Sequence, residues 1–226
     1  MTTRIDFEST KGERIHGELG EPAGTGKAPA LIVVQEWWGV NDHIRSLVDR
    51  FAAAGFLTLA PDLYHGKTTK DGDEAATLMK ALDWPKAIHE VAATLAYLRK
   101  HPRSNGNVGI TGFCLGGAVA LTAGAQLSEL RAVVPFYGIG DPKTDFAKMT
   151  AAVMGHFGEH DDYIKADAAR ALGVHLESQG KSAEIHLYDA GHAFVNDTRP
   201  EAYDASSAKL AWDRSLAFLH EKLDRS

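Results

Sequence analysis

The chain has a single cysteine among 226 residues, which excludes an intrachain disulfide and a thiolate metal cluster. Basic side chains are also scarce. Lysine and arginine number 24 against 30 acidic residues, a formal charge of −6, so no cationic stripe is available for a nucleic-acid backbone. Long apolar runs are missing too, the strongest being residues 31–34, far short of a bilayer span. Residues 1–8 lack the apolar core of a secretory signal, so the expectation is a cytoplasmic protein with no membrane and no nucleic-acid partner. Disorder is disfavoured, because 44% hydrophobic and 24% charged residues match ordinary globular usage. The length fits one α/β domain covering residues 1–226, as a monomer or small homo-oligomer.

What is present is an alternation of apolar runs with amphipathic helical patterns. The runs fall at 30–34, 56–60, 108–111, 132–134, 151–155 and 183–188. Such alternation is the pattern of βαβ units around a mostly parallel sheet covered by helices on both faces. Ile44, Leu47, Val48, Phe51 and Ala52 form one helical face, with Asn41 or Asp42 to cap its start and Gly55 to end it. Ile88, Val91, Ala92, Leu95 and Leu98 form a second. Ile164, Ala168, Ala171, Leu172 and Leu176, closed by Gly180, form a third, and Ala205, Ala208, Trp212, Leu216 and Leu219 a fourth. Residues 4–7 and 14–17 alternate as two short strands, and Thr10, Lys11, Gly12 and Glu13 suit a hairpin turn, predicting an antiparallel N-terminal edge.

In an open parallel sheet, chemistry sits beyond the carboxyl ends of the strands. Gly112-Phe113-Cys114-Leu115-Gly116 stands there, between a strand and a helix rich in small residues. It is the G-x-S-x-G nucleophile elbow with sulfur in place of oxygen. Glycines two before and two after are needed because the strand and helix backbones pass close to the turning residue. The helix N-terminus favours an anion, which predicts a lowered thiol pKa, and the N–H of Leu115 supplies half an oxyanion hole. A lone cysteine more often packs as a small hydrophobe. The flanking glycines favour the nucleophile.

Chain order in this type of fold is nucleophile, acid, histidine. Asp161 and Asp162 follow the 151–155 run as candidate acids, and one of the two is expected to cap the next helix, Asp162 being placed for it. His192, in a glycine turn after the last strand, is the candidate base. His156 and His160 do not share a helical face, so no metal and no cofactor is expected. Glu36 lies between a buried strand and Trp37-Trp38, where partial desolvation would let it take a proton from a thiol. The N–H of Trp37 is the natural second oxyanion donor. Trp38 and Tyr64 are either pocket or core aromatics.

Together these residues resemble the dienelactone hydrolase (carboxymethylenebutenolidase) family of the α/β-hydrolase fold. The likeness runs from Leu31 to the final helix. Its motifs are Gln35-Glu36-Trp37-Trp38-Gly39-Val40-Asn41, Pro61-Asp62-Leu63-Tyr64, Gly112 to Gly117, Gly158-Glu159-His160-Asp161 and Gly191-His192-Ala193-Phe194. The resemblance implies a Cys114–His192–Asp161 triad, a Glu36 that holds the resting thiol and accepts its proton, and Tyr137 as a pocket residue. It also implies two arginines for a substrate carboxylate. Gly66 and Asn196 stand in their places here, with Lys67 and Arg199 nearby as substitutes. The expected activity is opening of a small lactone or cleavage of a small ester through a cysteine acyl-enzyme. A broad carboxylesterase is the alternative within the enzyme class, and a non-catalytic scaffold or thiol sensor the alternative outside it.

Overall fold

The computed structural model describes residues 2–9 and 11–224. Thr10, in the predicted N-terminal turn, lies outside the described residues, as do Met1 and positions 225–226 of the expected domain. Eight strands form one sheet: β1 (Thr3–Glu8), β2 (Arg14–Gly20), β3 (Ala28–Val34), β4 (Leu57–Pro61), β5 (Ser104–Phe113), β6 (Leu130–Phe136), β7 (Ala152–Gly158) and β8 (Ala183–Tyr188). Their spatial order is β1-β2-β4-β3-β5-β6-β7-β8. β1 pairs antiparallel with β2 and β2 with β4, and every later neighbour is parallel. The predicted α/β architecture with an antiparallel N-terminal edge is therefore the observed one.

Burial on both faces explains the unbroken apolar runs. Along β3, Ala30, Ile32 and Val34 join one core with Val91, Leu95 and Val119, while Leu31 and Val33 join the other with Leu47, Phe51 and Leu219. The first core lies under α3 (Trp84–Lys100), α4 (Leu115–Gln126) and α5 (Ala166–Ser178), and the second under α1 (Asp42–Ala53) and α6 (Ala205–Leu223). Asn41 caps α1 by accepting the Ile44 N–H at 3.2 Å, and Gly55 follows its end at φ +104°.

Three helical faces differ from the predicted stripes. In α5 the buried line is Ala169, Leu172, Gly173 and Leu176, whereas Ala168 and Ala171 are exposed. Alanine fits either face, and Gly173 counts as core because β8 lies close over it, with Ile185 3.0 Å from where its Cβ would stand. In α6, Ala205 is exposed and Trp212 and Leu216 flank a buried line of Ala208, Ala211, Ser215, Phe218 and Leu219. Ser215 belongs to the core through its bond to His156 at 2.9 Å, which no apolar pattern reveals. In α3, Ala93 and Thr94 are buried while Ala92 is only partly so. A further helix, α2 (Gly72–Lys80), was not predicted. Its only buried residue is Ala75, so it carries no apolar stripe to read.

Candidate active site

The β5–α4 turn aims Cys114 above the centre of the sheet. Its backbone sits at φ +55°, ψ −116°, a region that costs a non-glycine residue about 1–3 kcal/mol. The neighbouring glycines permit it: a Cβ on Gly112 would stand 2.0 Å from the Gly116 carbonyl oxygen, and one on Gly116 2.4 Å from that of Val34. The thiol is half-buried and the Leu115 N–H points at it. Burial, and next the negative charge of Glu36, push its pKa up to about 12, and the Leu115 N–H only partly offsets them. The lowered pKa expected from the helix N-terminus is thus reversed. In the resting site the group is a protonated thiol.

Asp161 and His192 form a tight pair at the ends of β7 and β8, with His192 Nδ1 2.7 Å from Asp161 Oδ2. The carboxylate is fully buried and accepts the N–H groups of Tyr163 at 2.7 Å and Ile164 at 2.9 Å through its other oxygen. Burial alone raises its pKa, but the bonds from His192, Ile164 and Tyr163 bring it below the ordinary carboxylate value. Asp162 is exposed and bonds Lys165. It caps no helix; the turn is closed by Asp161, and α5 begins after Lys165 without a side-chain cap. The turn at His192 bends at Ala193, with φ +60°, and not at Gly191, whose φ is not positive.

Glu36 is buried behind these groups. Tyr137 Oη donates to its Oε1 at 3.3 Å and Asn196 Nδ2 to its Oε2 at 2.8 Å. Tyr137 is itself fully buried and bent at φ +37°, its ring edge-on to His192 at 5.0 Å. Asn196 therefore occupies the place of an expected arginine and tethers the glutamate. The sequence offered one signal for it, its position four residues after His192 in the same loop.

Cys114, Leu115, Trp37, Trp38, Tyr137, His192 and Arg199 all line one cavity of about 680 Å³. The two tryptophan rings meet edge-on at 4.8 Å, and the Arg199 guanidinium lies 5.5 Å from the Trp38 ring while its Nε bonds Glu201. Lys67 is not brought into this cavity. Asp62 accepts the N–H groups of Tyr64 and Gly66, closing a turn that carries Lys67 into a neighbouring cavity of about 340 Å³. Tyr64 lines that second cavity as well. Its ring is buried, its hydroxyl has no hydrogen-bond partner among the described residues, and burial, followed by the nearby Cys114, raises its pKa. Sequence reasoning missed Met79, Lys80, Leu82 and Trp84, which come from the end of α2, the corner after it and the first residue of α3. His156 is fully buried between Tyr188 and Ser215 and His160 is paired with Asp189; among the described residues no three His, Cys, Asp or Glu side chains converge as a metal site.

Residues 15–223 match the Dienelactone hydrolase family. The chain belongs to that family. Protein usf of Aquifex pyrophilus is 31% identical, over 99% of this chain and 100% of its own length. A carboxymethylenebutenolidase of Pseudomonas putida is likewise 31% identical, covering 97% of this chain and 96% of the relative. A crystal structure from Klebsiella pneumoniae described as a dienelactone hydrolase superimposes with a TM-score of 0.88 at 29% identity, covering 98% of both chains. The protein is accordingly a dienelactone hydrolase-like hydrolase with the α/β-hydrolase fold, a carboxylic ester hydrolase by its homologues. No helix among the described residues is long and apolar enough to cross a membrane.

Proposed function

We propose that this family member hydrolyses a small lactone or ester through an acyl-thioester on Cys114, with His192 and Asp161 completing a triad and Glu36 receiving the thiol proton. The observation that carries the reading is convergence. A thiol on a strained turn and an imidazole bonded at 2.7 Å to a buried carboxylate open onto the same cavity.

The cycle balances with His192 starting as the imidazolium held by Asp161. Substrate entry excludes water and the Cys114 proton passes to Glu36. The thiolate adds to the carbonyl carbon, whose oxygen is received by the N–H groups of Leu115 and Trp37. The carbon–oxygen bond breaks and the leaving oxygen takes the proton of His192. Neutral His192 then removes a proton from water, whose oxygen adds to the thioester. The carbon–sulfur bond breaks, Glu36 returns its proton to sulfur, and one water has been consumed for one acid and one alcohol. In a lactone the two products stay joined.

The test is turnover of a chromogenic aryl ester, with intact mass after rapid quenching. Wild type should show one acyl adduct per chain, on Cys114, and Cys114→Ala neither adduct nor turnover. Asp161→Asn and His192→Ala should each lower kcat by about 10²–10⁴-fold, with Asp162→Asn mild by comparison. Full turnover in Cys114→Ala would remove the nucleophile assignment. A broad carboxylesterase without carboxylate recognition is the second reading, favoured by Gly66 and Asn196 at the positions of the two expected arginines.

A further inference from the structure

The cavity above Cys114 is larger than a single lactone ring requires. At about 680 Å³ it lies well inside the roughly 300–1,000 Å³ range of pockets that take drug-sized ligands. One wall is built by Met79, Leu82 and Trp84, at the end of α2 and the start of α3. Helix α2 does not exist to complete the core. It has nine residues and buries only Ala75, and so short a helix is marginal without tertiary packing. Its apolar side chains turn to open space instead, Met79 to the Cys114 cavity and Leu78 to the neighbouring one.

Exposed aromatic surface gathers at the same opening. Five large hydrophobic side chains are exposed among the described residues, and two of them, Trp84 at 37% and Tyr163 at 75%, line this cavity from separate segments. Single exposed hydrophobics are ordinary, but two aromatic rings on one concave surface mark a place where apolar surface is covered in use. Trp37 and Trp38 extend that surface toward the thiol. Among the described residues no carboxylate side chain lines the cavity, so an apolar group entering it displaces no tightly hydrated anion.

We infer that the substrate is an ester or lactone bearing an aromatic or similarly broad apolar group, which lies against Met79, Leu82 and Trp84 while the reacting carbonyl is held at Cys114. This specificity rests on the hydrolase reading above. Burial of one or two aromatic rings on such a wall is worth on the order of 10- to 100-fold in kcat/KM.

The experiment follows acid release from ethyl acetate, ethyl 2-naphthylacetate and 2-naphthylmethyl acetate by pH-stat, in wild type and Trp84→Ala. Fluorescence titration of Cys114→Ala with 2-naphthylacetate measures binding without turnover. At least one naphthyl ester should exceed ethyl acetate by 10-fold or more, and Trp84→Ala should cut that ratio at least 5-fold. Trp84 is partly exposed, so the variant should fold; Met79→Ala gives the same reading from the other side of the wall. Turnover with equal kcat/KM on all three esters, or a ratio untouched by both variants, overturns the specificity and leaves the hydrolase reading standing. Saturable binding to Cys114→Ala, weakened by adding Trp84→Ala, with no turnover by wild type would keep the apolar subsite and overturn the hydrolase reading. Neither binding nor turnover overturns both.

Discussion

The side-chain amide of Asn196 donates to Glu36 Oε2 at 2.8 Å, tying the loop after the last strand to the loop after β3 across 160 positions of sequence. Both residues are almost completely buried. A neutral amide thus holds a buried carboxylate where the family resemblance calls for a guanidinium. Removing the amide leaves one carboxylate oxygen without its donor. Asn196→Ala should therefore cost about 1.5–3 kcal/mol of stability in chemical denaturation and lower kcat. Asn196→Asp should be worse in both, because it sets a second carboxylate against Glu36 in a dry site. Wild-type stability and turnover in both variants would show that the tether is dispensable.

The thiol pKa of about 12 sets how Cys114 meets an electrophile. Iodoacetamide at pH 7.5 should modify the folded protein about 10²–10³-fold more slowly than an unstructured thiol, with the rate rising through the alkaline range. Modification in urea, read by intact mass, supplies the unstructured reference on the same residue. Glu36→Gln removes a charge that opposes the thiolate, so it should speed alkylation while impairing turnover. A folded rate equal to the denatured rate would mean that the resting group is already a thiolate.

Arg199 and Lys67 separate by position. Arg199 lines the Cys114 cavity, with Lys80 as a second cation, whereas Lys67 faces the neighbouring one. Arg199→Ala should raise KM for an ester with a free carboxylate several-fold more than for its neutral amide analogue. Lys67→Ala should treat the two alike. Paired Michaelis curves decide this, and equal effects of Arg199→Ala on both substrates would favour an esterase without carboxylate recognition.

His43 and His156 are buried and His186 is half-buried, and all three have pKa values below the usual 6.5, His156 far below, with burial as the leading cause in each. Unfolding frees them to bind protons that the native state refuses. Their contribution to stability is full above about pH 6.5 and is lost as pH falls from there toward the folded values. For His156, shifted furthest, the slope approaches about 1.4 kcal/mol per pH unit in that window, and His43 and the half-buried His186 add less. Urea denaturation between pH 7 and 5 should show stability declining with acid. His156→Asn should be less stable at pH 7 yet show a shallower decline; an unchanged slope would remove His156 from the account.

The sheet and the gathering of Cys114, Asp161 and His192 at one end of it were legible for physical reasons that separate them from what was missed. Strands buried on both faces leave unbroken runs, and the elbow needs its glycines because backbone atoms would otherwise overlap, so both leave marks in sequence. Asp161 could be chosen over Asp162 only through the family resemblance, since adjacent aspartates look alike before the turn is built. Helix α2 left no mark because its apolar side chains face the cavities and not a core. The elbow alone predicts a lowered thiol pKa because a helix N-terminus is visible in sequence, whereas burial depends on loops that meet only in the folded chain; the resting thiol beside Glu36 was legible only through the family resemblance. Asn196 was seen as a missing arginine, and its bond to Glu36 appears only when the two loops lie together.

Three of the four non-glycine residues with left-handed backbone among those described, Cys114, Tyr137 and Ala193, line the Cys114 cavity or neighbour a residue that does. Each holds a side chain, or its neighbour's, at an angle that a relaxed chain would not choose. Heat tolerance and turnover therefore pull against one another at these positions. Substitutions that let the backbone relax there would gain stability and blunt the enzyme together. Hardening the protein without dulling it is work for the far side of the sheet, at helix ends and exposed loops remote from the cavity.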